Sequence, residues 1–172
     1  EATGGAPAAA IELSDGTVRQ LTSAVETRET EVETETGETD ENREPIYETT
    51  TETEEITLWS LDGQPLPEGA VGLEDWLYDL STLYLDSCSA FKADQEELSA
   101  CGMDGASLLT VSLTSGETFT LAIGGQTEDG SYVYAALEAP APGCDLFLIS
   151  ADKARTLSDL NYESLSADEE AE

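Results

Sequence analysis

The groups in this chain that could do chemistry are narrow in kind. Three cysteines, Cys88, Cys101 and Cys144, are its only thiols, and it has no histidine. Without an imidazole there is no Ser-His-Asp or Cys-His unit and no histidine metal site. None of the cysteines stands in a CxxC pair, so they read as buried, inert thiols. Their odd number excludes complete pairing within one chain. Cys88 and Cys101 flank a loop and a short helix and could be bridged. Only Lys92 and Lys153 could act as a lysine base, and neither lies in a recognisable motif. Gly124-Gly125 lacks the helix start and lysine of a phosphate-binding loop and reads as a bulge or turn. Carboxylates are so numerous that pairs at glycosidase-like separations arise by chance. Glu128-Asp129-Gly130 offers too few oxygens for calcium, and no Asp-x-Asp-x-Asp-Gly loop occurs. Tyr132 and Tyr134 share a strand face and could form a binding platform or cover the edge of a core. The sequence therefore yields no catalytic, metal-ligating or cofactor-binding residues, and Tyr132 and Tyr134 as its candidate binding surface.

Charge narrows the partners. Six basic against 38 acidic residues give a net charge of −32 over 172 residues. Such a surface repels phosphate backbones and anionic lipid headgroups, which need clustered Lys or Arg, so neither nucleic acid nor a lipid surface is an expected partner. Solubility, cation binding or docking to a basic partner are the favourable uses of this charge. No run of apolar residues reaches the 18 or more that a membrane-spanning helix requires. Residues 1–10 are small and tether-like, and a signal peptide or anchor removed ahead of Glu1 is expected, with the domain held outside the cytoplasmic membrane.

Positioning falls to elements concentrated after the first third of the chain. Ile11 to Val18 carries an Asp-Gly turn signal between apolar positions and reads as a first hairpin or strand start. From Val25 to Glu55 the chain is Thr/Glu-rich and resembles low complexity. However, Thr30, Val32, Thr34 and Thr36 share one parity, and Glu31, Glu33 and Glu35 the other. The alternation resumes in 49–59 and runs into Ile56 and Leu58, which predicts a long, solvent-washed β-hairpin with its loop at 37–45. Its glutamates, such as Glu31, Glu33 and Glu35, are expected near Glu52, Glu54 or Glu55 across the pair. Leu73, Trp76, Leu77, Leu80 and Tyr84 form one helical stripe over 73–84. Asp94, Glu97 and Gly102 give the capping box and left-handed end of a shorter helix. For Ser107 to Ile123 register decides the turn. A three-residue Thr114-Ser115-Gly116 loop pairs Val111 with Phe119 and Leu109 with Leu121 on one face. A strand over Ser131–Leu137, another over Cys144–Ile149, a helix capped by Ser150 running to about Leu157, and an acidic tail over 166–172 complete the chain.

Residues 56–165 carry an ordered set of phrases: the aromatic helix Trp76–Tyr84, Leu98-Ser-Ala-Cys-Gly-Met-Asp104, Leu113–Gly124, Tyr132-Val-Tyr134 and Leu146-Phe-Leu-Ile-Ser150. In this order they resemble the bacterial domain-of-unknown-function family 4340. The chain departs from that family's pattern at Cys101, where an aromatic is usual, and in its long Thr/Glu stretch. The resemblance implies an envelope protein, often anchored near its N-terminus, in some cases associated with ABC-type transport or gliding motility. It supplies no catalytic residues.

The expected fold class is α+β: an antiparallel, meander-like sheet with one amphipathic helix on a face and a long Thr/Glu-rich N-terminal hairpin. The expected organisation is a tether (1–10), an acidic β-hairpin region (11–59), the family-like domain (60–165) and an acidic tail (166–172). The expected function is that of a non-enzymatic extracytoplasmic accessory or protein-binding module of a bacterial envelope. The alternative is a small-ligand or cation-binding protein working with an ABC-type transporter. A concave pocket with convergent polar groups would favour the latter, and an apolar patch with a polar rim the former.

Overall fold

The computed structural model describes residues 8–39, 45–113 and 115–167. It is a mostly antiparallel sheet with a few short helices. Nine strands, β1 (Ala8–Glu12), β2 (Val18–Thr39), β3 (Pro45–Leu61), β4 (Gln64–Pro65), β5 (Ser87–Ala90), β6 (Ser107–Ser112), β7 (Thr118–Gln126), β8 (Tyr132–Ala136) and β9 (Leu146–Ser150), form one sheet. Their spatial order is β4-β3-β2-β1-β6-β7-β8-β9-β5. Two runs of sequential neighbours thus meet at the β1–β6 pair, and β5 returns to the far edge.

Two of the expected boundaries fall inside strands of this sheet. Ala8–Ala10, read from composition as part of a tether, belong to β1, where Ala9 is buried and sits opposite Leu21 on one side and Val111 on the other. A strand with a neighbour on each side satisfies its backbone fully, and this outweighs alanine's poor β-propensity. Residues 1–7 lie outside the described part, as do 40–44, Thr114 and residues 168–172 of the acidic tail. The division at residue 59/60 is likewise not a break, because β1 links the acidic strands to the rest of the sheet.

The helices are α1 (Val71–Ser81), α2 (Gln95–Ala100), α3 (Ala151–Ser158) and α4 (Tyr162–Leu165), with a 3-10 turn at Met103–Gly105. The α1 helix packs Leu73 and Trp76 into the main core, with Leu77 and Leu80 half-buried beside them. It stops three residues short of the expected Tyr84. The Ser81 and Thr82 hydroxyls both donate to the Tyr78 carbonyl, each at 2.8 Å. Hydroxyls that bond back onto a preceding carbonyl compete with the next helical turn. Tyr84 is left 64% exposed. In α2 both halves of the capping box form: Glu97 N–H donates to Asp94 and Asp94 N–H to Glu97, each at 3.0 Å. Ser150 precedes α3 but makes no side-chain cap. The short α4 was not anticipated; Asn161 opens it by accepting from Ser164 N–H at 2.9 Å.

The β6–β7 register is the one that a three-residue loop demands. Val111 faces Phe119 and Leu109 faces Leu121. Gly116, at φ +87°, takes the left-handed position.

In β2 and β3 the register overturns the expected opposition of glutamates. Glu29 faces Thr53, Glu31 faces Thr51 and Glu33 faces Thr49, while Thr30 faces Glu52 and Thr34 faces Glu48. Each face of the ribbon therefore carries a glutamate row from one strand beside a threonine row from the other. A slip of one residue would set Glu31 against Glu52 and Glu29 against Glu54. Like charges directly opposite destabilise a sheet, so the Thr/Glu alternation selects against odd slips. Thr51→Glu is expected to cost the ribbon about 0.2–1 kcal/mol and Thr51→Lys to gain a similar amount. Amide exchange within 26–34 and 48–56 would report both. Equal exchange in the two variants would mean that residues 31 and 51 do not meet.

Beside the ribbon's root, Asp62 and Gly63 (φ +50° and +81°) form the turn from β3 to β4. Asp62 accepts from Gln20 N–H at 2.8 Å and pairs with Arg19 at 3.0 Å. The Gln20 bond holds its carboxyl below the usual range, against slight burial, with Arg19 adding to the effect. A folded-state value below the unfolded one, about 3.9 for Asp, stabilises fully above that pH. The contribution is lost as pH falls through the folded value. The melting temperature of Asp62→Asn should thus lie below that of the parent at pH 6 and converge with it below about pH 3.9. A gap unchanged down to pH 2 would remove charge from the account.

Candidate functional site

Two apolar hollows lie next to each other where α1 crosses the sheet. The first, about 110 Å³, is lined by Ala9, Leu21, Trp59, Trp76, Leu77, Leu80 and Val111. The second, about 170 Å³, is lined by Leu80, Leu83, Tyr84, Leu85, Phe119, Leu121 and Leu137. Leu80 walls both. Around the second, Phe119 is 39% and Leu137 53% exposed. The α1 helix ends at Ser81, and Leu83, Tyr84 and Leu85 of the segment that follows line the second hollow beside Phe119 and Leu121 of β7. Isolated exposed apolar residues are ordinary, whereas here Tyr84, Phe119 and Leu137 group around one hollow.

Two larger hollows include polar and charged side chains in their lining. One of about 270 Å³ is lined by Asp75, Arg155, Asp159 and Ser164 among others. Arg155 is paired with Asp152 at 2.6 Å, and Asp159 accepts from Ser164 at 2.8 Å. The other, about 320 Å³, lies beside α2, where Gln95 donates to Asp104 at 3.0 Å. Arg155, Asp159, Gln95 and Asp104 are thus each engaged with a neighbouring side chain, and no polar or charged side chain among the described residues is buried. No group of three or more acidic or cysteine side chains among them could hold a metal ion.

Tyr132 and Tyr134 lie elsewhere. Both are half-buried on β8, and Tyr134 packs on a second, smaller core with Leu98, Met103, Ala122, Ala136, Cys144 and Leu146. The more exposed aromatics are Tyr47, Tyr78, Tyr84, Phe91 and Phe119. Sequence parity could place Phe119 beside Val111, but not reveal that no helix would cover it.

Gly124 and Gly125 serve packing. Gly125 N–H donates to the Cys101 carbonyl at 2.8 Å, and a Cβ on Gly124 would come within 2.4 Å of the Met103 sulfur. The glycines let the α2 end and its 3-10 turn rest directly on β7, where the β7–β8 register also shifts.

Lys153 is likewise committed. Its Nζ donates to the Thr82 hydroxyl and, at 3.2 Å, to the Thr82 carbonyl, and lies 3.6 Å from the Asp79 carboxylate. A cation at the C-terminal end of α1 is favoured by the helix dipole, and it ties α3 to α1. Lys92 lies over the Phe91 ring at 5.2 Å.

All three cysteines are free thiols, and Cys88, expected to be buried, is exposed on the edge strand β5. Position on an edge explains this: β5 has only β9 beside it. Cys101 is half-buried; burial pushes its thiol up, the Glu97 charge adds to this, and a hydrogen bond with Tyr134 opposes it. A thiol reagent at pH 8 should therefore modify Cys88 quickly, Cys101 slowly and buried Cys144 only on unfolding. One group instead of three in the denatured, non-reduced chain would reveal an internal disulfide.

No helix among the described residues is long and apolar enough to cross a membrane. No protein-family model, no curated protein and no solved structure matches this chain.

Proposed function

We propose that this chain is a non-enzymatic, extracytoplasmic protein-docking module of a bacterial cell envelope, an accessory to a larger system that includes transport among its candidates. In this reading residues 60–165 form the family-like part, an N-terminal anchor holds it, and the long Thr/Glu ribbon is an extension that meets the partner.

The observation that carries the proposal is the pair of adjoining apolar hollows sharing Leu80, rimmed by Tyr84, Phe119 and Leu137. An apolar contact area with a polar surround is the anatomy of a protein interface. The small-ligand or cation-binding alternative needs buried polar groups converging on a cavity, and the two polar hollows do not offer them. A photo-crosslinking residue at position 119, compared with one at Glu96 on the exposed side of α2, tests the reading in intact envelopes. Adducts of one defined mass from position 119 alone are expected. Equal yields from both positions, or none, would overturn it.

A further inference from the structure

The apolar hollow at the root of the ribbon and the acidic row along it belong to one surface, and we infer that this surface takes a basic, extended protein segment carrying one apolar anchor residue. The inference rests on the docking reading and names the partner's chemistry.

The parity of β2 and β3 makes the surface continuous. Leu21 faces Leu61, Ser23 faces Trp59, Thr27 faces Glu55 and Glu29 faces Thr53, so all these residues share one face. Moving outward along it from Trp59, which walls the 110 Å³ hollow, the face carries Thr57, then Glu55, then Glu29, Glu31 and Glu33. Alternate residues of a strand stand about 7 Å apart, so Glu55 lies roughly 13 Å from Trp59. Glu29, Glu31 and Glu33 repeat at that same spacing. An extended segment with Lys or Arg at alternate positions has the same repeat and meets the row side by side. From Thr27 to Glu31 and Thr51 to Glu55 every side chain is exposed, so both faces are accessible.

Two other occupants fit less well. A second copy brings another −32 charges to the same place. A lipid surface with anionic headgroups is repelled by the glutamate row that leads outward from the hollow. A basic segment instead gains from the row and inserts its apolar residue into a hollow whose lining is entirely hydrocarbon and indole.

Both tryptophans of the chain, Trp59 and Trp76, line this hollow, so occupancy can be read from intrinsic emission. The probe is a short synthetic peptide alternating Lys and Thr with one leucine at its end, titrated into the full chain. Saturable binding with a change in tryptophan emission is expected. Affinity should fall about tenfold when the leucine is replaced by alanine. It should also fall about tenfold between roughly 0.1 and 1 M sodium chloride, as the screening length shortens from about 10 to 3 Å. The exposed-site variant carrying E29Q, E31Q, E33Q and E55Q should bind weakly with little salt dependence, while its melting temperature stays at or above that of the parent. Binding with no emission change and no need for leucine would overturn the inference, leaving plain polyelectrolyte attraction. A neutral Gln/Thr peptide with the same leucine binding equally well would overturn the basic partner while keeping the docking reading. If no peptide alters the emission but position 119 still crosslinks, the inference fails and the docking reading stands.

Discussion

Trp76→Ala should destabilise the protein by about 3–5 kcal/mol, the range for truncating a fully buried large aromatic. Trp76 is 1% exposed and belongs to the main core together with Leu73, Leu157 and Leu165, contributed by α1, α3 and α4. Its indole N–H donates to the Leu157 carbonyl at 3.4 Å, so the same side chain fills space and bridges α1 to α3. Truncation would leave a cavity lined by three helices and the sheet, and would strand the Leu157 carbonyl. Denaturant melts measure the cost directly. Trp76→Phe should lose less, because it keeps most of the packing and gives up only the indole donor. A loss below about 1 kcal/mol for the alanine variant would mean that α1 does not anchor the core. The main core would then rest on the sheet's own side chains.

The second large effect is expected where the chain leaves no room. A Cβ on Gly72 would stand 1.9 Å from the Ser164 carbonyl oxygen and 3.0 Å from its carbon. Both atoms are backbone, so no side-chain rotation relieves the overlap. Gly72 N–H also donates to the Ala167 carbonyl at 3.1 Å, which holds the end of α4 against the start of α1. Gly72→Ala should therefore cost about 1–3 kcal/mol, the usual penalty of overpacking, and push α4 off its seat. Amide exchange over 162–167 should rise more than elsewhere. Gly105→Ala is the control: a Cβ there meets nothing within 4 Å and its φ is not positive, so it should be close to neutral. Equal effects at the two positions would show that α4 is not packed against Gly72.

Acid has two opposing effects on this molecule, and salt shares only the first. Protonating or screening the many exposed carboxylates relieves repulsion across the compact state. Protonating Asp15, Asp62 and Asp129 removes charges that hold loops closed. All three lie below the usual carboxylate range, through bonds from Thr17 N–H, Gln20 N–H and the Thr127 hydroxyl respectively as their largest causes. Stability should rise as pH falls from neutrality toward the carboxylate range, then drop below about 3.9 as these aspartates protonate.

What the sequence determined by itself was local or periodic. The capping box of Asp94 and Glu97 is chemistry within one helical turn, and it is present as spelled. The β6–β7 register follows from parity, since a three-residue loop, unlike a two-residue one, puts Leu109, Val111, Phe119 and Leu121 on a common face. The absence of histidine removed whole classes of catalytic and metal sites before any fold was considered. The alternation of Thr and Glu marked both strands of the ribbon.

Tertiary structure decided everything that depends on what comes to lie beside what. The alternation in β2 and in β3 did not reveal their relative phase, so glutamates expected to oppose each other stand against threonines instead. Phase is a property of the pair, set where Leu21 and Leu61 enter the core together. The alanines at 8–10 read as a tether because a strand's main support, its two neighbours, lies far away in sequence. Tyr84 continued the helical stripe, yet two hydroxyls at Ser81 and Thr82 ended the helix first, a competition that periodicity does not register. The candidate site is of the same kind. Leu80, Phe119 and Leu137 come from α1, β7 and the residue just after β8, as much as 57 residues apart in sequence, and only the fold brings them to one hollow.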